Sequence, residues 1–256
     1  MSLPHLKFLR IHDQAAHSIL LNHLHIPTGA SATLEFECGY DRFPISDHLP
    51  RSLDNLGNIS YITSINLNLR FRPAIRLKGP SGDLHMVGYT TDFFPRTLDT
   101  QALQFLNELP ISSTERLTIS WYVASADSNT EESAAYQTLL TMNRLRTLTL
   151  TDCINLSFIL ALNPDHNASN TVLSPKLENL VLNTAGRRDG PFFDELLEMA
   201  KARASMGARL SAITMVCLPG LISKEKAPDL RNYAGNFEYG FDGVTLRRDA
   251  VGYDSD

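Results

Sequence analysis

The chain has 256 residues, 43% of them hydrophobic, and a formal net charge of −5 at pH 7. This apolar content supports a sizeable core, and the acidic balance argues against a basic nucleic-acid-binding stripe. The sequence contains no run of 18 apolar residues, so no transmembrane helix is predicted, and the first residues lack a secretory signal pattern. We therefore expect a cytoplasmic or nuclear protein with no membrane or nucleic-acid partner, in which the N-x-S sequons at Asn58, Asn155 and Asn167 carry no sugar.

A recurring L-x-x-L-x-L pattern organises the chain. Clear copies begin at Leu6, Ile62, Leu145, Leu177 and Leu210, and two weaker copies are Leu34-x-Phe36 and Leu117-x-Ile119. This pattern is the strand signature of leucine-rich repeats. It predicts short parallel strands whose leucines stack on one another, because a single strand-helix unit cannot bury its apolar face alone.

The intervals between copies predict a helix after each strand. From Leu117 to Leu148 is 31 residues, from Leu148 to Leu180 is 32, and from Leu180 to Ile213 is 33. These intervals exceed the 20–29 residues common in leucine-rich repeats. Irregular repeats of about 31–33 residues therefore leave room for a full helix in each return segment.

Apolar residues at helical spacing mark the expected helices. In chain order these are Ala15–Leu24, Leu103–Leu109, Ala135–Met142, Phe158–Leu162 and Phe193–Ala200. The last of them has Pro191 near its start and Gly207 just past its expected end, which are typical helix start and stop signals.

One segment departs from the repeat. Between Leu67 and Leu117, residues 75–78 and 84–87 alternate apolar and polar side chains across Gly79-Pro-Ser-Gly82, which predicts an inserted hairpin near residues 74–88. Two interpretations stay open here. The hairpin interrupts the array and shapes a binding rim, or it simply lengthens the sheet.

The ends of the chain differ from its middle. Phe237 and Tyr239 fit a final capping strand, whereas residues 242–256 lack apolar periodicity and are expected to form a flexible tail. The leucine-rich-repeat domain is therefore assigned to residues 1–241. The fold class expected is an α/β leucine-rich-repeat solenoid, in which a curved, mostly parallel sheet carries its helices on the convex side.

The outward side chains of the strands form the expected partner-binding surface. Alternate strand residues point to opposite faces, and a long concave strand face suits a protein or peptide. Trp121 and Tyr122 lie at a strand end and form a candidate aromatic anchor, and the alternative for Trp121 is a core or lid residue. The predicted site comprises Arg10, His12, Glu35, Glu37, Asn66, Asn68, Arg70, Thr118, Ser120, Trp121, Tyr122, Thr147, Thr149, Thr151, Asn179, Val181 and Asn183.

Candidate catalytic and metal-binding residues are few. His17, His23 and His25 lie close in sequence but lack a carboxylate or cysteine at ligand spacing. Glu35 and Glu37 alternate on one strand and are more simply a solvated acidic patch than an acid-base pair. No hydrolase, metalloprotease, phosphate-loop or dinucleotide-binding motif is present. We therefore expect no enzyme activity, no cofactor and no metal.

Several segments resemble the leucine-rich region of fungal F-box proteins. The similar stretches are residues 3–12, 21–31, 62–67, 77–82, 145–153 and 175–182, and the likeness extends to about Tyr239. The resemblance implies a ubiquitin ligase adaptor in which the repeat region selects the protein substrate. It also implies a Skp-type partner, bound only through an F-box, and no F-box is found ahead of Leu3. The alternative is a free-standing leucine-rich-repeat interaction protein with no link to a ubiquitin ligase.

Overall fold

A computed structural model provides the fold of this chain. It describes residues 4–12, 17–37, 49, 53–59, 61–69, 74–89, 98–121, 128–151, 156–167, 170–184, 191–217, 227–241 and 244–245. Among these residues, none of the helices combines the length and the apolar character that a membrane crossing requires.

The described strands form a single open sheet. They are β1 (Phe8–His12), β2 (Ser31–Glu37), β3 (Ser64–Leu69), β4 (Ala74–Lys78), β5 (Asp83–Tyr89), β6 (Arg116–Trp121), β7 (Thr147–Thr151), β8 (Asn179–Thr184), β9 (Ala212–Cys217), β10 (Phe237–Phe241) and β11 (Val244–Thr245). The spatial order is β1-β2-β5-β4-β3-β6-β7-β8-β9-β10-β11. Neighbours are parallel except for β5-β4, β4-β3 and β10-β11.

Six described α-helices connect these strands. They are α1 (His17–His23), α2 (Leu98–Glu108), α3 (Ser128–Thr141), α4 (Leu156–Leu162), α5 (Pro191–Ser205) and α6 (Ala227–Tyr233). All five helices expected from the apolar spacing are present. Short 3-10 turns occupy Leu53–Asn55, Gly57–Ile59, Ile111–Ser113 and Pro164–His166.

Two apolar rows cross the sheet from β1 to β10. The first row, in spatial order, is Leu9, Ala32, Leu84, Leu77, Ile65, Leu117, Leu148, Leu180, Ile213 and Phe237. The second runs two residues further along each parallel strand, through Leu34, Leu67, Leu150 and Met215. The expected stacking of Leu148, Leu180 and Ile213 in neighbouring strands is confirmed.

The described helices cover only the apolar face of the sheet. Their inward side chains, such as Leu106, Leu139, Phe158 and Leu196, belong to the same buried core as the strand rows. On β7 the exposure alternates strictly, with Leu148 and Leu150 buried and the three threonines half-buried. Parallel sheets usually bury both faces, so this alternation marks a sheet with one covered and one open face.

The backbone repeats the same junction ahead of successive strands. The carbonyl of Glu115 accepts hydrogen bonds from the two amides of Arg146 and Thr147. The carbonyls of Arg146 and Glu178 each accept two amides from the next unit in the same way. The units are therefore equivalent in their hydrogen bonding as well as in their leucines.

A buried cation joins α5 to the unit before it. Arg203 is fully buried, and its Nη1 and Nη2 donate to the carbonyls of Leu173 and Ser174 over 2.8 and 3.1 Å. Burial lowers the pKa of Arg203 to about 10, so the guanidinium stays charged at neutral pH. Gly207, with φ at 77°, ends this helix in the left-handed conformation that glycine tolerates best.

The predicted hairpin is present as β4 and β5, and both of its strands lie within the sheet. Strands β3, β4 and β5 form an antiparallel meander, and all three lie within the sheet. Because β5 pairs with β2 while β3 pairs with β6, the apolar rows continue through the meander. The structure supports the lengthened sheet, while the parallel pairing is interrupted at β4. That the hairpin shapes a binding rim stays a prediction.

The C-terminal end adds one short strand to the expected picture. The predicted capping strand is β10, which contains Phe237 and Tyr239. Val244 and Thr245 then form β11 against β10, inside the segment expected to be a tail. Residues 246–256 lie outside the described part of the chain.

Candidate functional site

The open side of the sheet brings most of the predicted site together. We call polar face the side formed by the outward residues of β1–β10. Its central row, in spatial order, is Arg10, Thr33, His85, Arg76, Asn66, Thr118, Thr149, Val181, Thr214 and Glu238. Strand residues two apart point to the same side, so the rows before and after this one belong to the same face.

One part of this face carries mainly hydroxyl, amide and small apolar side chains, and the exposed Arg116 at the start of β6 is an exception. We call neutral half the outward residues of β6–β9 in the central row and in the row after it. They are half-buried and comprise Thr118, Ser120, Thr149, Thr151, Val181, Asn183, Thr214 and Val216, with Thr147 and Asn179 half-buried at the strand starts. Hydroxyl and amide groups both donate and accept hydrogen bonds, so this half suits neutral polar recognition.

The other part of the face is charged. We call charged half eight of the outward residues of β1, β2, β4 and β5: Arg10, Ser31, Thr33, Glu35, Arg76, Lys78, Asp83 and His85. On its outer side, Arg10 Nη2 donates to Glu35 Oε1 over 2.6 Å. The side chain of Arg10 is 60% exposed and that of Glu35 only 7%, so the carboxylate lies beneath the guanidinium.

A second ion pair repeats this arrangement on β4 and β5. Arg76 Nε donates to Asp83 Oδ2 over 2.8 Å, and Arg76 Nη2 donates to the same oxygen. Burial opposes ionisation of Asp83, but hydrogen bonds from Ser31 and Arg76 and the charges of Arg76 and His85 outweigh it. The pKa of the Asp83 carboxyl is therefore lowered, and the group is ionised at neutral pH.

His85 lies between the two ion pairs. Burial and the nearby charge of Arg76 lower the pKa of its imidazole, although Asp83 and Glu35 act in the opposite direction. At neutral pH the imidazole is therefore uncharged, and it can donate one hydrogen bond and accept one.

The remaining predicted site residues fall into three groups. His12 and Asn66 are exposed and Asn68 is half-buried, and all three belong to the polar face. For Glu37 and Trp121 only the backbone is described, within β2 and β6. Arg70 and Tyr122 lie outside the described residues, so the proposed aromatic anchor stays a prediction.

The sequence-based site omitted six of the eight residues of the charged half, namely Ser31, Thr33, Arg76, Lys78, Asp83 and His85. The last four lie in the hairpin, which the repeat pattern predicts as a separate insertion. The signal was nevertheless present, since Ile75-Arg-Leu-Lys and Leu84-His-Met alternate as the regular strands do. Extending the polar face across that alternation identifies Arg76, Lys78 and His85.

The candidate catalytic and metal-binding residues do not form a shared group in the described structure. His23 and His25 are exposed, whereas Glu35 is buried and paired with Arg10. The side chains of His17 and Glu37 lie outside the described part. In that part, no three His, Cys, Asp or Glu side chains are grouped as a metal site would require.

Two of the sequon asparagines have structural contacts. Asn58 is buried, and its Nδ2 donates to the carbonyl of Asp83 over 2.7 Å, which fixes the start of β5. Asn167 is buried too, and its Nδ2 donates to the carbonyl of Thr171 over 3.0 Å. A sugar on either buried nitrogen would clash with the surrounding protein, while Asn155 lies outside the described residues.

Comparison of the chain with protein-family models, with curated proteins and with solved structures finds no match. The functional argument therefore depends on the geometry of the polar face and on the chemistry of its two halves.

Proposed function

We propose that this protein is a non-catalytic scaffold that binds a partner protein across the polar face of its sheet. The observation that carries the proposal is the continuous central row of ten outward residues, from Arg10 to Glu238. At about 4.8 Å between strands, that row extends over roughly 40 Å. A surface of this length suits a protein or an extended peptide, whereas small molecules bind in concave pockets.

We further propose that the chain is a leucine-rich-repeat solenoid with a curved sheet. Packed helices need 8–10 Å between their axes, whereas neighbouring strands need about 4.8 Å. A row of helices on one side of a sheet therefore favours bending toward the strands. The polar face would then be concave and would surround more of a bound partner than a flat face does.

The biological role proposed is substrate recognition in an F-box-type ubiquitin ligase adaptor. Its support is the resemblance of the leucine motifs to the repeat region of fungal F-box proteins. A free-standing interaction protein is the alternative, and the polar face supports both equally. The two differ only in whether a Skp-type subunit associates with the full gene product.

Site-specific photo-crosslinking in cells tests the binding face. A benzophenone side chain at Thr149, on the neutral half, should crosslink partner proteins, while the same group at Gln137, exposed on α3, should not. Val181→Arg should abolish the Thr149 crosslinks because it places a bulky charge on the same face. Equal crosslinking from Thr149 and Gln137 would contradict the proposal.

The ligase link needs its own experiment. The full gene product and its Val181→Arg variant would each be affinity-purified. Both samples should contain a Skp-type subunit, whereas only the unmodified protein should recover the substrate. Recovery of the same polar-face partner without any Skp-type subunit would favour the free-standing alternative.

A further inference from the structure

The charged half of the polar face has the features of a subsite for an acidic segment. We propose that an extended stretch of the partner protein crosses β1, β2, β5 and β4, and that two of its carboxylates bind Arg10 and Arg76. This inference rests on the proposed function of the polar face, and it adds the chemistry of the partner.

The exposed chemistry of the charged half is cationic. The side chains of Arg10 and Arg76 are 60% and 57% exposed, whereas those of Glu35 and Asp83 are 7% and 12% exposed. Lys78, next to Arg76 along β4, is exposed as well. An approaching partner therefore meets two guanidinium groups and an ammonium group before it meets either carboxylate.

The buried carboxylates orient the guanidinium groups. Toward the described residues, Arg10 donates from Nη2 alone, and Arg76 donates from Nε and Nη2. An arginine has five N–H donors in a rigid fork, so donors remain on both side chains for a second carboxylate. Because each side chain is already held in place, less rotamer entropy is lost when the partner binds.

The register sets the spacing between the two arginines. Arg10 pairs with Thr33, Thr33 with His85, and His85 with Arg76, so the two arginines lie three strand spacings apart in one row. That distance is about 14 Å between backbones. An extended chain covers about 13 Å in four residues, and residues i and i+4 point to the same side. The segment predicted therefore carries acidic residues four positions apart.

Charge balance favours a carboxylate-bearing segment over a phosphorylated one or a nucleic acid. Arg10, Arg76 and Lys78 face two buried carboxylates, so the local positive excess is small. A phosphate carries close to two negative charges at neutral pH and would lie directly above Glu35 or Asp83. Nucleic-acid binding requires many cations along a track, and the whole chain has a net charge of −5.

Binding of defined peptides to the whole protein tests the inference. The probe is a fluorescent Gly/Ser peptide with two glutamates at positions i and i+4, and its binding is measured by fluorescence anisotropy at low salt. Two control peptides are compared with it: one carries the glutamates at i and i+2, and the other carries glutamine in place of both glutamates. We expect the glutamine peptide to bind at least about tenfold more weakly, and the i+2 peptide several-fold more weakly. Equal binding of all three peptides would overturn the proposal.

Matched variants locate the binding. Arg10→Gln should weaken binding of the i+4 peptide about five- to tenfold, and Lys78→Gln, which removes only a neighbouring charge, should weaken it less. Arg146→Gln, which removes an exposed arginine outside the polar face, should not change it. In the unmodified protein the amide NMR signals of Thr33 and His85 should shift on titration, and this readout does not depend on how a variant folds. Shifts confined to other residues would contradict the inference.

Three further outcomes are decisive. If a phosphoserine peptide or a single-stranded oligonucleotide binds more tightly than the i+4 glutamate peptide, the carboxylate assignment is wrong. If the acidic peptide fails to bind but Thr149 still crosslinks a partner, the inference fails and the proposed function stands. If the acidic peptide does not bind and Thr149 does not crosslink a partner, the proposed function fails as well.

Discussion

The two halves of the polar face differ in how the chain builds them. In the neutral half, consecutive units of 31–33 residues place each strand beside the previous one, and the face carries hydroxyl and amide groups. In the charged half, the meander places β5 beside β2 and carries three basic side chains. The apolar rows nevertheless pass through both halves. The comparison teaches that the core repeat is kept while the surface chemistry changes where the topology changes.

Replacing one buried leucine beneath each half tests whether a single core stabilises both halves. Leu77→Ala in the meander and Leu148→Ala in the regular part each remove a fully buried side chain from the same row. Each should lower the free energy of unfolding by about 2–5 kcal/mol in urea titrations. Thr149→Ala, on the open face, should change it by less than about 0.5 kcal/mol. If Leu148→Ala lowers the free energy of unfolding in this range but Leu77→Ala does not, the meander does not share the core.

Arg203 tests a contact within the regular units, because its guanidinium holds the loop at Leu173 and Ser174. Arg203→Leu keeps much of the buried volume but leaves the carbonyls of Leu173 and Ser174 without their charged donor. We expect a loss of about 2–3 kcal/mol. Lys201→Ala, at an exposed position of the same helix, is the control and should be nearly neutral. Equal unfolding midpoints for the two variants would contradict this role.

Gly82 in the hairpin turn and Gly207 after α5 should respond differently to replacement by alanine. A Cβ on Gly82, in the hairpin turn, would clash with the carbonyl oxygen of Ala30, so Gly82→Ala should cost about 1–3 kcal/mol. A Cβ on Gly207 meets no atom within 4 Å but sits at φ 77°, so Gly207→Ala should cost about 1 kcal/mol through conformation alone.

Thermal unfolding separates the two causes. Gly207→Asn should recover part of the stability lost in Gly207→Ala, because asparagine tolerates the left-handed region, whereas Gly82→Asn should be no better than Gly82→Ala. Rescue at position 82 would show that the turn does not press against Ala30.

The smallest effect is a pH dependence confined to the charged half. Burial and Arg76 lower the pKa of His85 from its ordinary 6.5. Just below that value the unfolded chain takes up a proton that the folded chain does not, so stability falls as pH drops from 6.5 toward the lowered pKa. Asp83 and Glu35 also face this imidazole and limit the effect.

A histidine replacement isolates this contribution. His85→Gln should flatten the slope of unfolding free energy against pH in that window, while His25→Gln, at an exposed position, should leave it unchanged. An identical slope for His85→Gln and the unmodified protein would contradict the assignment.

The sequence predicted the parts of the fold that depend on local spacing. The leucine intervals predicted the row of Leu148, Leu180 and Ile213, and the helix signals at Pro191 and Gly207 matched the ends of α5. The pairing of β5 with β2 was not predicted, because Ser31 and Asp83 are distant in sequence and no local pattern selects that pairing.

The same limit explains the candidate site. The neutral half follows directly from strand alternation, and its residues were all predicted except those of β9. The charged half needed the strand order first, since only the placement of β4 and β5 brings Arg76 and His85 into one row with Arg10. Burial of Glu35 beneath Arg10 is a side-chain contact that periodicity does not predict.

A thiol-bridging experiment tests the central claim that the polar face is continuous through the meander. In a background with Cys38, Cys153 and Cys217 replaced by serine, dibromobimane, which fluoresces on joining two adjacent thiols, would be added to paired cysteine variants. The pair Thr33→Cys with His85→Cys should react, because these residues are register partners in β2 and β5. The pair Thr33→Cys with Asn66→Cys should not. Reaction of the second pair instead of the first would place β3 beside β2 and contradict the account.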